Sequence, residues 1–122
     1  MSALALKEMP SPALAPSDEI IDLDHLSLMT LGERSLEREV LALFGRQAEI
    51  LLLRMNAGSA PVAAAAAHTL KGSALGIGAW RVARAAEAVE LAGAAKLPAA
   101  IDALDGAIEE ARAAIAGLLQ TH

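Results

Sequence analysis

Between residues 33 and 119 apolar side chains recur at helical spacing in four successive stretches, and glycine or proline stands at each break between them. That pattern constrains the chain more than any other feature. Leu36, Val40, Leu43, Phe44, Gln47 and Leu51 share one face of a helix expected over 33–56, with Ser35, Arg38, Arg46 and Glu49 opposite. The preceding Thr30-Leu31-Gly32-Glu33 has the spacing of a capping box. Asn56-Ala57-Gly58-Ser59 breaks the run, and Ser59 with Pro61 can start a third helix that extends through His68 to about residue 76. Gly76-Ile77-Gly78 then loosens the chain. A fourth helix is expected over 79–96, with Val82, Ala85, Ala86, Val89 and Ala92 inward. Pro98 opens a fifth that ends near residue 119, its stripe formed by Ile101, Leu104, Ile108, Ala111, Ile115 and Leu118.

No segment alternates in the manner of a strand. Short connections between helices of similar length imply an all-α fold, an antiparallel up-down-up-down four-helix bundle, with a short extra N-terminal helix in the segment 18–29. Residues 1–17 carry Pro10, Pro12 and Pro16 and read as a flexible lead-in to a single domain over 18–122.

Composition narrows the function. With 122 residues the chain can bury a core as one domain, and without cysteine it has neither disulfides nor thiolate chemistry. One Trp, one Phe and no Tyr leave an aliphatic core and no platforms for stacking bases. A net charge of -5 argues against nucleic acid as a partner. The most apolar run, 61–67, stops at His68, well short of a membrane span, and the N-terminus lacks the pattern of a secretory signal; a cytoplasmic domain is expected. Three scattered histidines predict no metal site.

The stretch His68-Thr69-Leu70-Lys71-Gly72-Ser73-Ala74-Leu75-Gly76-Ile77-Gly78 stands out. At about 100° per residue, Leu70, Ser73, Ile77, Ala63 and Ala66 lie opposite His68 and face the core. His68 then points outward with Ala64, Lys71, Gly72 and Leu75 on its face. Glycine inside a helix costs about 0.5 to 1 kcal/mol relative to alanine, so Gly72 implies that something uses the missing side chain. An anion docking on the ring fits: a neutral imidazole is nucleophilic near neutral pH, and Lys71 can offset the charge of a transferred phosphoryl group.

This stretch resembles the signature of the histidine-containing phosphotransfer (HPt) domain: His, any residue, Leu, Lys, Gly, small residues, then an apolar residue and Gly. The similarity extends over roughly residues 18–119. It implies that His68 is the phosphoacceptor, that Lys71 stabilises charge, that Gly72 keeps the site open, and that Leu70 and Gly78 are structural. Glu90 stands near the place where family members carry a polar residue, often glutamine, that supports the imidazole. Ala64, Leu75 and Arg84 are candidate docking residues. The implied protein is a monomeric phosphoryl carrier, not an enzyme. Its partners would be a hybrid histidine kinase and response-regulator receiver domains, which would hold the required Mg²⁺; this chain would bind no cofactor. No P-loop or kinase glycine loop is present.

His25 is expected either to pack or to be solvent-exposed, Trp80 to be a packing anchor at a helix start, and Arg81, Arg84 and Lys96 to form a solvated face, from which Arg84 could add to docking. The alternative function is a helical adaptor that binds a partner through apolar surface, because Leu41, Leu52 and Leu53 widen the apolar arc of the second helix.

Overall fold

In the computed structural model, which describes residues 19–121, Asp22 begins the helical part of the chain. Its carboxylate accepts the His25 backbone N–H at 3.1 Å and so caps α1, Leu23–Thr30. Leu31 and Gly32, both in the left-handed region (φ 56° and 73°), end that helix and turn the chain into α2, Arg34–Ala57. The expected capping box does not form. Thr30 is the last residue of α1, and its hydroxyl lies 2.8 Å from the Leu26 carbonyl and 3.1 Å from a Glu37 carboxylate oxygen. Glu33, which the box would have used at its far end, is itself the N-cap of α2 and makes no side-chain capping bond.

Three further helices follow: α3, Ala60–Ile77; α4, Trp80–Leu91; and α5, Leu97–Thr121. Ser59 is the N-cap residue of α3 without a side-chain bond, and Pro61 occupies its first turn as expected. Gly76 does not end α3, which continues through Ile77 to a left-handed cap at Gly78. The fourth helix is shorter than the sequence suggested. It stops at Leu91, because the Lys96 N–H bonds the Gly93 carbonyl in a separate turn that leads into α5.

The described residues form an all-helical bundle. α3 packs between α2 and α4, α5 closes against α4 and α2, and α1 lies across α2 and α3. The core is aliphatic apart from Phe44. On α5, Ile101, Leu104, Ile108, Ala111 and Ile115 are buried as expected, while Leu118 is half-buried. On α4 the buried set is Val82, Ala83, Ala86 and Val89, with Ala85 and Ala92 only partly covered.

The inward face of α2 differs from the expectation. Phe44 and Leu51 are buried, but their companions are Leu41, Ala48 and Met55, whereas Leu36 and Leu43 are exposed. Apolar side chains cover more than half the circumference of α2, so periodicity alone does not choose which arc the neighbours cover. The residues 1–17, read as a lead-in, lie outside those described.

Candidate functional site

Six buried residues fix the orientation of α3: Ala63, Ala66, Ala67, Leu70, Ala74 and Ile77. With that arc against α2 and α4, residue 68 must stand outside. The His68 side chain is 68% exposed. On the same face Ala64 is half-buried and Leu75 exposed. Ser73 turns inward as expected, and its hydroxyl donates to Gln47 Oε1 at 2.8 Å.

Gly72 is explained by neither packing nor backbone conformation. A Cβ built there meets nothing within 4 Å, and its φ is ordinary. The helix penalty of this glycine therefore leaves open space one turn beyond His68. Gly78 is the contrasting case. Its φ is +78°, and a Cβ would lie 2.9 Å from both Cβ and the carbonyl oxygen of Asp22. Gly78 is thus required by the close crossing of α1 over the α3–α4 turn, where the Asp22 N–H bonds the Gly78 carbonyl at 3.0 Å.

α4 completes the site. Its inward stripe turns Glu90 toward α3, where one carboxylate serves two partners. Oε2 lies 2.7 Å from His68 Nδ1, and Oε1 lies 3.1 Å from Lys71 Nζ. Because the carboxylate can only accept, the proton of the neutral ring resides on Nδ1, which leaves Nε2 with its lone pair. Lys71 also approaches Glu87, with Nζ 4.0 Å from Oε2. The Lys71 ammonium, and then the His68 ring N–H, hold the Glu90 carboxyl below its ordinary value against a smaller opposing effect of burial.

A stability signature follows from this direction. A carboxyl depressed below 4.5 on folding contributes stability that is complete above that pH and is lost as pH falls through the folded value. Urea unfolding of the wild-type chain and of Glu90→Gln should show a gap in stability that narrows as pH falls below about 4.5. A gap unchanged at pH 3 would show that the ion pairs contribute nothing.

The remaining expectations divide. Arg84 is exposed on α4, one turn before Glu87. His25 lies away from the site: its Nε2–H donates to the Leu75 carbonyl at 2.9 Å and its ring packs on Trp80 with centroids 4.8 Å apart. Trp80 anchors the start of α4, as expected, through an Nε1–H donated to Asp22 at 3.0 Å. Arg81 is not simply solvated, since it pairs with Glu110 at 3.0 Å. Among the described residues no cluster of three His, Cys, Asp or Glu could hold a metal ion, and no helix is long and apolar enough to cross a membrane. The residue that sequence reading did not single out is Glu87. Its signal was present as an i,i+3 partner of Glu90 on one helical face.

The arrangement of an exposed imidazole, a carboxylate behind it, a lysine and a gap coincides with a family-level match: the model of the Hpt domain matches residues 38–114. The chain belongs to the Hpt domain family. Comparison with curated proteins and with solved structures gives no match. Hpt domains carry phosphoryl groups on histidine in phosphorelay signalling, where they meet receiver domains and kinases and act as carriers rather than as catalytic enzymes. In this Hpt domain the matched segment contains α3 and α4, the two helices that build the site.

Proposed function

We propose that this chain is a phosphorelay intermediate in which His68 Nε2 accepts a phosphoryl group from the aspartyl phosphate of one receiver domain and gives it to the aspartate of another. The observation that carries the reading is the 2.7 Å contact between His68 Nδ1 and Glu90. It fixes the tautomer in which the exposed nitrogen is the nucleophile.

The lone pair of Nε2 attacks phosphorus in line, the N–P bond forms, and the acyl P–O bond breaks to release the receiver's carboxylate. The ring becomes a phosphoimidazolium, whose positive charge Glu90 stabilises through the Nδ1–H. In the onward step an aspartate oxygen attacks phosphorus, and the ring leaves as neutral imidazole, still protonated at Nδ1. Lys71 offsets charge on the phosphoryl oxygens, and Gly72 admits the group. The Mg²⁺ of this chemistry belongs to the receiver's carboxylates, so this chain needs no cofactor of its own. Catalysis by the chain is a matter of position and charge.

Ala64 and Leu75 on the His68 side of α3, and Arg84 exposed on α4, would meet the receiver. The ring of helix contacts and the short connections support an up-down-up-down bundle, and the carrier would act as a cytoplasmic monomer beside a hybrid histidine kinase. The rival adaptor reading loses Leu41, which is fully buried, and keeps Leu53, which is exposed. It offers no account of the ordered imidazole.

Phosphate delivered from a phosphorylated receiver should be acid-labile and map to His68. Gly72→Gln should cut the transfer rate at least about 10-fold by filling the approach, with unchanged helicity by circular dichroism. Transfer at the wild-type rate in that variant would remove the steric argument.

A further inference from the structure

Lys71 does not reach toward Nε2 but leans back onto α4. Its ammonium is 3.1 Å from Glu90 Oε1 and 4.0 Å from Glu87 Oε2. The charged groups around it are Glu87 and Glu90 on α4, with Arg84 a turn earlier on that helix, and His68 on its own helix. With a neutral imidazole, one ammonium thus faces two carboxylates before any phosphoryl group arrives. Glu90 is committed to His68 through its other oxygen. Glu87, with its side chain 54% exposed, has Lys71 as its ion-pair partner at the site.

We propose that Glu87 competes with the phosphoryl group for Lys71 and so sets how far phosphorylation of His68 proceeds, poising the carrier to give the group away; this rests on His68 being the phosphoacceptor. In the unloaded site the ammonium lies within ion-pair distance of both carboxylates. A phosphoryl group on Nε2 can draw it off only by weakening its pairs with Glu90 and Glu87; Glu90 keeps its hold on the ring, so Glu87 is the carboxylate that acts on Lys71 alone, and its exposed charge also repels the incoming anion. Both effects raise the free energy of the phosphorylated form relative to the free form. Transfer onward to a receiver becomes more favourable by the same factor. Glu87 acts here as a positioning residue for Lys71 and touches no reacting atom.

The test needs no partner protein. Phosphoramidate can load the full chain directly: Nε2 forms the N–P bond, the donor's P–N bond breaks, and the donor's own protonated nitrogen leaves as ammonia. With phosphoramidate and ammonium at fixed ratio, the ³¹P signal of phosphohistidine, set against the known total chain concentration, gives the ratio of phosphorylated to free chain at equilibrium. Glu87→Gln should raise that ratio about two- to five-fold at low ionic strength, the range expected for an exposed ion pair. Glu87→Lys should raise it further. In 0.5 M NaCl the gain should collapse toward unity, because exposed charges are screened. In a Lys71→Met background the gain from Glu87→Gln should shrink, since the competition has lost its object. A ratio that neither substitution moves overturns the proposal, as does a gain that persists at full size without Lys71. Wild-type chain that forms no phosphohistidine at residue 68 overturns the functional reading beneath it as well.

Discussion

His68→Gln is expected to abolish phosphoryl uptake from any phosphorylated receiver, a loss of more than about a thousand-fold, while the chain stays folded. The two halves of this expectation have separate physical grounds. Loss of uptake follows because the glutamine amide offers no lone pair of comparable nucleophilicity at the position of Nε2, and the other described histidine, His25, lies away from Lys71 and Gly72, its ring held between Trp80 and the Leu75 carbonyl. Retention of the fold follows because the side chain at 68 is largely exposed and the core face of α3 runs through Leu70 and Ala66 on the other side. Changes at such positions usually stay within about 0.5 kcal/mol. The glutamine amide can still donate to Glu90. Acid-labile phosphate counted after exposure to a phosphorylated receiver, with thermal unfolding measured in parallel, decides the matter. Phosphate retained in the variant sinks the assignment of His68.

Gly78→Ala should produce a large loss of stability, although it adds one methyl group. The left-handed conformation costs an L residue roughly 1–2 kcal/mol. The new Cβ would also meet the Asp22 backbone at 2.9 Å, a distance that forces movement. Asp22 cannot move freely, because it caps α1, accepts the Trp80 indole N–H and bonds Gly78 through its own N–H. Together these should reach about 2–4 kcal/mol, or roughly 10–20 °C in melting temperature for a domain of this size. Gly72→Ala supplies the internal control. Its Cβ meets nothing, its φ is helical, and the substitution should stabilise the chain by about 0.5–1 kcal/mol. Equal effects at the two positions would show that the close crossing at Asp22 carries no energetic weight.

The contrast between these glycines also marks what sequence could and could not reveal. Helix count, the aliphatic core of α5 and the outward direction of His68 were legible, because each depends on periodicity within one element. The inward arc of α2 was not. Leu36, Leu41, Leu43 and Leu52 are chemically equivalent, and only the placement of α3 and α5 decides that Leu41 is covered while Leu43 is not. The capping box failed for a related reason: α1 extends to Thr30, so the hydroxyl expected at the start of α2 is occupied within α1. At the site, His68, Lys71 and Gly72 were visible as a local spacing, whereas the sharing of Glu90 between ring and ammonium is a contact across helices, His68 and its partner standing 22 positions apart. Sequence placed Glu90 near the ring only through family resemblance, and could not show that Lys71 turns to the same carboxylate.

Trp80 is the only tryptophan of a chain that lacks tyrosine altogether. Its indole sits where α1, the α3–α4 turn and the His25 ring converge. The molecule therefore carries one built-in fluorophore at the joint between its N-terminal helix and the helix of the phosphoacceptor. Loosening of that joint, whether by heat, by a bound receiver or by loading of the imidazole, would be readable as a change in emission from unlabelled protein.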